Sequence, residues 1–183
     1  MHGIAGDRLM SRISVQALAR AIQKVRAMNL GQKEQLADAI YLAQPNLLAT
    51  VLVQKQLGVS LEKMEFLIDI LLVCFQAMKE SGIAWPLITE DEQDKQMTRY
   101  IAAVKFGEDL SAPLRDLAFK QYIESHPEQQ LLAFVTGEIN DWLSRIPPES
   151  NDKYIMLAAT NFVNCIAFVP LPAPLPTRQS KQK

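Results

Sequence analysis

Glu65 and Asp69 stand four residues apart in "KMEFLIDILL", and His126 stands between Glu124 and Glu128 in "ESHPEQ". Few other side chains in this sequence have types and spacing suited to chemistry. Two carboxylates at i, i+4 share one helix face, and burial of such a pair splits their pKa values, as acid–base catalysis requires. Glu65, Asp69 and His126 are therefore the candidates for a small-ligand site or a dispersed catalytic site. Their structural alternative is a wet edge on a core helix for the two acids and a helix cap before Pro127 for His126.

Other chemistries have less to draw on. The only histidines are His2 and His126, and neither Glu-x-x-His nor His-Glu-x-x-His occurs. Nucleophile-elbow and phosphate-cradling glycine motifs are also missing. No catalytic residue, metal ligand or cofactor is assigned. Cys74 and Cys165 both lie inside apolar runs without a cationic neighbour, so they read as small core residues kept reduced, which points to a cytoplasmic protein.

Recognition of a partner has more to work with. Residues 1–33 carry Arg8, Arg12, Arg20, Lys24, Arg26 and Lys33 against Asp7 alone, while the net charge of the whole chain is −1. A basic end on an acidic body suits an acidic protein partner or a second copy of the chain, with Arg20 and Lys24 on one helix face as the contacts. Trp85, beside a proline in "GIAWPL", is either a plug between helices or a partner anchor. Pro172 and Pro174, in "PLPAPLP", belong to an extended segment that could dock as a peptide. Its prolines are never three apart, as polyproline-reading domains want.

"VQKQLGVSLEKMEFL" has the outline of a helix-turn-helix, with Leu57-Gly58-Val59-Ser60 as the turn. Gln54 stands where a small residue belongs. The would-be reading helix offers Glu62, Glu65 and Asp69 with Lys63 alone among them, and a polyanion repels such a face. No aromatic residue precedes Tyr41 to stack single-stranded bases. Nucleic acid is not the expected partner.

These residues are placed by a chain whose apolar period is helical nearly throughout. Ser14 predicts an N-cap, followed by a stripe of Val15, Leu18, Ala19, Ile22 and Val25, with Gly31 as terminator. Residues 32–43 carry Leu36, Ala37, Ile40 and Tyr41 at the same spacing. Pro45 opens a helix that ends at Gly58, and Ser60 caps the next, which Ser81-Gly82 closes. "ITEDEQ" predicts a capping box of Thr89 and Glu92 ahead of a helix carrying Met97, Tyr100, Ile101 and Val104 inward to Gly107. Further helices are expected at 112–125, 128–145 and 151–168.

The fold class is therefore all-α, a compact bundle of about eight helices. Residues 1–169 form a single helical domain, and 170–183 an extended proline-rich tail. Tyr41, Pro45 and Cys74 recur as Tyr122, Pro127 and Cys165, with Gly31 matching Gly107, so the domain could consist of two similar four-helix halves, 14–82 and 89–169. Residues 61–78 and 154–168 are the two main core helices. The 16 residues between Lys153 and Pro170 reach only about 24 Å, short of a hydrocarbon core of about 30 Å, so no membrane span is expected. Together these features describe a non-catalytic helical protein-interaction or regulatory protein that associates with itself. The alternatives are a helix-turn-helix-like nucleic-acid-binding regulator and a small-ligand-binding helical protein or enzyme with a dispersed site.

Overall fold

Eight α-helices follow one another, with no strand, in residues 10–173, which the computed structural model describes. They are α1 (Val15–Ala27), α2 (Leu30–Ala43), α3 (Pro45–Leu52), α4 (Leu61–Glu80), α5 (Glu90–Glu108), α6 (Ala112–Ser125), α7 (Gln129–Leu143) and α8 (Asp152–Phe168). A 3₁₀ turn, Val53–Leu57, continues α3.

Local chemistry explains most boundaries. The Ser14 hydroxyl accepts the Ala17 N–H at 3.1 Å, and Ser60 accepts from Lys63, so each serine satisfies a donor that the first turn leaves unpaired. Pro45 sits at the first turn of α3, where a missing N–H costs nothing. Gly58 and Gly82 end their segments at φ 78° and 69°, a conformation open to glycine.

Two expected boundaries differ. Gly31 does not end the first helix. It is the second residue of α2, which starts at a reciprocal capping box of Asn29 and Gln32. Thr89 does cap α5 by accepting from the Glu92 N–H, but the return bond is not made. The Glu92 carboxylate accepts instead from Gln96 Nε2 at 2.7 Å.

The core is built on α4 and α8, which pack against each other. α1 lies along α4, α5 and α7 lie along α8, and α3 touches both central helices. Leu67, Leu71, Cys74 and Ala77 of α4 have no exposed surface, nor do Ile155, Ala159, Val163 and Ile166 of α8. Ala17 and Ala21, both buried, let α1 approach α4 closely. The buried stripe of α1 is thus Ala17, Leu18, Ala21 and Val25, with Val15 and Ala19 outside it. Phe66 of α4 and Trp142 of α7 stack with ring centroids 4.5 Å apart. One turn earlier, at the start of α4, Lys63 turns inward to Asp152 at 2.5 Å and Glu149 at 2.6 Å. These carboxylates hold its ammonium above the usual lysine range although burial pulls the other way.

The connection between α4 and α5 is not a strand. Gln44 donates to Pro86 O and accepts the Ile88 N–H, and Asn46 donates to Ile88 O, so two amides pin it to the start of α3. In both halves the first helix packs on the fourth and the fourth helices meet at the centre. The glycine correspondence fails, since Gly31 opens α2 whereas Gly107 lies in the last turn of α5. No single helix is long and apolar enough to cross a membrane among the described residues. Leu71→Ala, at a site with no exposed surface on the central helix, should lower unfolding free energy by about 2–5 kcal/mol, read from the urea midpoint.

Candidate functional site

Each candidate residue has a definite place. Glu65 is exposed on α4, and Asp69, half-buried, accepts from Lys33 of α2 at 2.7 Å. His126 is buried at the junction of α6 and α7. No hydrogen bond or ion pair links His126 to either acid among the described residues.

The basic face of α1 is matched from within. Arg20 and Lys24 both donate to Glu80, at 3.0 and 2.5 Å, and Arg26 donates to Glu138 of α7 at 2.9 Å. Hydrogen bonds from Lys24, Arg20 and Gln76 hold the Glu80 carboxyl down at about 2. With Lys33 on Asp69, the charge asymmetry of the sequence becomes pairing inside the fold. Lys63, the one cation of the helix-turn-helix-like stretch, faces Asp152 and Glu149. Trp85 is half-buried and donates its indole N–H to Met78 O at 2.9 Å, at the end of α4. Pro172 is exposed. Pro174 and His2 lie outside the described residues. Cys74 and Cys165 are free and buried, and burial pushes both thiols up to about 12, where thiolate nucleophiles are scarce.

The dense polar chemistry lies elsewhere, around α5, α6 and α8. Glu128, with no exposed surface, sends its carboxylate to the segment before α1. It accepts from the Arg12 N–H at 2.5 Å, the Ser11 hydroxyl at 2.7 Å and the Ile13 N–H at 3.2 Å. Burial raises the Glu128 pKa, and those three donors oppose the rise. Arg12 in turn donates to the carbonyls of Ile166 and Val169 at 2.9 and 2.7 Å, a cation at the negative end of α8. The Glu128 N–H donates to His126 Nδ1 at 3.1 Å, which leaves Nε2 to donate to Asn164 Oδ1 at 3.0 Å. The same Asn164 oxygen accepts from the Tyr122 hydroxyl at 3.1 Å. Both His126 nitrogens are thus engaged in the neutral ring, and burial lowers its pKa. An imidazole so committed positions its neighbours and has no nitrogen open to a substrate proton.

α5 meets α8 through amides rather than through Met97 and Val104. Its buried residues are Gln93 and Gln96, and Val104 is 38% exposed. They face Thr160, Asn161 and Asn164, all buried on α8. Asn161 Nδ2 donates to Gln93 O at 3.1 Å, and Thr50 donates to Gln93 Oε1 at 2.6 Å. Gln96 Oε1 and Asn161 Oδ1 are buried without a partner.

Outside this seam runs a groove of about 1900 Å³ between α5 and α6, floored by Tyr100, Ala103 and Tyr122 and closed at one end by His126 and Ser11. Phe106, 70% exposed, and Phe119, 50% exposed, project into it. Arg115, Asp116 and Glu124 line it from α6. Among the described residues no cluster of histidine, cysteine and carboxylate side chains could hold a metal ion. No protein-family model matches the chain, no curated protein matches its sequence, and no solved structure matches its fold.

The sequence signals for this region were partial. Phe106 is visible as a residue outside the stripe of Met97, Tyr100, Ile101 and Val104, but Glu128 is separated from its Arg12 partner by 116 positions, and no local pattern joins them.

Two pH dependences follow. His126 titrates below its ordinary value in the folded chain, so the unfolded chain takes up the proton first. The stability carried by the neutral ring is present above about pH 6.5 and is lost as pH falls below it. Wild-type melting temperature should fall between pH 7 and 5.5, and His126→Gln should flatten that slope. Glu80 is depressed to about 2, so its contribution is present above about pH 4.5 and is lost between there and pH 2. Glu80→Gln should remove that part of the acid sensitivity in urea titrations at stepped pH.

Proposed function

We propose that this chain is a non-catalytic protein-interaction protein and that its docking surface is the α5–α6 hairpin, which takes a helix of a protein partner. The observation that carries this reading is that α6, fourteen residues long, has no fully buried side chain and rests on the core only through the partly buried Tyr122 and Ile123. α2 occupies the matching place in the first half and does bury Leu36 and Ile40. Isolated helices of such length are marginal in water, and helices in proteins are held chiefly by packing of an apolar face. α6 carries the apolar material for such packing: Leu114, Leu117 and Phe119 are each at least half exposed.

The neighbouring chemistry supports binding over catalysis. Neutral His126, engaged at both nitrogens, and two buried thiols near 12 provide neither base nor nucleophile. The groove, about 1900 Å³ and lined by Tyr100, Phe106, Phe119 and Tyr122, has the aromatic lining of a helix-in-groove site, in which an amphipathic helix lays its apolar face between two others. Because the cations of α1 are taken up by Glu80 and Glu138, recognition passes to apolar surface. Contiguous exposed apolar patches on folded chains mark such sites.

A synthetic 18-residue amphipathic helix of leucines with alternating lysine and glutamate tests this by fluorescence polarisation. The peptide should bind the wild type, and Phe106→Ser with Phe119→Ser should weaken binding at least tenfold with the circular dichroism spectrum unchanged. Absence of binding, or equal binding to the double variant, would overturn the assignment.

A further inference from the structure

We infer that the groove reads its partner through a cavity beside its floor, which takes the side-chain carboxamide of a glutamine on the docked helix. The inference rests on the docking reading above and adds the residue by which a partner is told from other amphipathic helices.

The cavity, of about 70 Å³, lies between α5, α6 and α8 and shares Tyr100, Ala103 and Tyr122 with the groove. That volume is several times the roughly 10–15 Å³ that admits one water, so it holds a group of several heavy atoms. Three side chains on its wall have hydrogen-bonding capacity left over. Gln96 is 2% exposed, and its Nε2 donates to the Glu92 carboxylate at 2.7 Å. A carboxylate only accepts, so the amide cannot be reversed, and Gln96 Oε1 is the buried end without a donor. Asn164 is oriented in the same way. His126 Nδ1 accepts the Glu128 N–H, so Nε2 carries the ring proton and gives it to Asn164 Oδ1, which leaves Asn164 Nδ2 as a donor to offer. Arg99 holds its guanidinium 4.3 Å from the centre of the Phe168 ring, and no carboxylate meets it among the described residues.

The cavity therefore offers donors from Arg99 and Asn164 and an acceptor from Gln96, between the rings of Tyr100, Tyr122 and Phe168. A carboxamide is complementary to that set. It is flat, its carbonyl accepts from Arg99 or Asn164, and its N–H donates to Gln96 Oε1. Other side chains fail at one contact or another. A carboxylate has no proton for Gln96, and an ammonium meets Arg99 with like charge. An aliphatic group leaves every polar atom unpaired, which is how sites built to hydrogen-bond reject a wrong ligand. Serine and threonine carry the hydroxyl on a single carbon, which keeps it in the groove. Glutamine has two methylenes before its amide, a stem long enough to pass Ala103, the smallest side chain that lines both groove and cavity.

The test is the amphipathic peptide described above with glutamine placed in turn at each leucine, titrated by fluorescence polarisation. At one position glutamine should bind the wild type at least fivefold tighter than the leucine parent, and at least tenfold tighter than glutamate at that position. Arg99→Met and Ala103→Leu should each bring the ratio of glutamine to leucine affinity to near one. If the parent binds but no glutamine position gains, or glutamate gains as much, the carboxamide assignment is overturned and the docking reading stands. If no peptide binds, the docking reading falls and the glutamine falls with it. Butyramide against butyrate, followed by NMR at the Asn164 side-chain amide, tests the cavity without any peptide. Shifts with butyramide and not with butyrate uphold its chemistry, and equal or absent shifts overturn it.

Discussion

One carboxylate without solvent contact organises the end of the molecule where the groove lies. Glu128 accepts from residues 11–13, presents its own N–H to His126, and stands beside the arginine that closes the last turn of α8. The segment before α1, the α6–α7 junction and the end of α8 are thereby set relative to one another. A buried carboxylate loses several kcal/mol of hydration, and it persists because main-chain donors converge on it. The N-terminal segment could not be shed cheaply: removing it would leave the carboxylate and two helix-end carbonyls short of partners. The wall of the groove formed by Ser11, Pro127 and His126 follows from that one charge.

The bundle is consequently held in two different ways. Between α4 and α8 the contact is dry and non-directional, a face of leucine, isoleucine, alanine and cysteine with no exposed surface. Such a face sets how firmly two helices associate more than how they are turned. Between α5 and α8 the contact is a row of amides and hydroxyls, each bond worth only about 0.5–1.5 kcal/mol net but fixed in direction. The first seam supplies most of the stability and the second supplies the orientation. The aromatic series Tyr100, Tyr122, His126 and Phe168, with neighbouring centroids 5.6–5.9 Å apart, continues that orientation out to α6.

Much of this could be read in the sequence, and the rest could not for identifiable reasons. Ser14, Ser60, Thr89, Pro45, Gly58 and Gly82 act within a few residues of their own position, so composition and order reveal them. The all-α class and the two central helices follow from period and length in the same way. Gly31 misled because glycine marks a helix end only when no stronger signal is near, and Asn29 with Gln32 was the stronger signal. Met97 and Val104 misled because an apolar stripe is assumed to face inward. α8 presents Thr160, Asn161 and Asn164 at that place, so α5 turns its glutamines to meet them. The basic stretch of residues 1–33 looked like a surface in search of an acid because sequence records charge but not pairing. Glu80 and Glu138 come from far along the chain to meet it. Glu128 is the extreme case, since nothing about an acid after His-Pro announces that three donors will converge on it from the other end of the domain.

The same contrast explains why the uncovered surface lies on α5 and α6 and not on α1 or α7. α1 and α7, which touch α4 and α8 through dry faces, have little apolar surface left once the core closes, whereas α2 and α3 leave Tyr41, Leu42 and Leu52 exposed. A helix attached through amides spends its polar residues inward and is left with apolar ones outside, as Phe106 and Val104 on α5 are. The seam beneath is itself incompletely satisfied, with Gln96 Oε1 and Asn161 Oδ1 lacking donors, and a buried unpaired polar atom costs about 1–3 kcal/mol. The hairpin is thus the part least supported by the core, and low local stability of that kind is where binding surfaces are drawn from. Whatever covers the hairpin adds its binding free energy to the folding of the segment it touches, in proportion to the logarithm of its concentration.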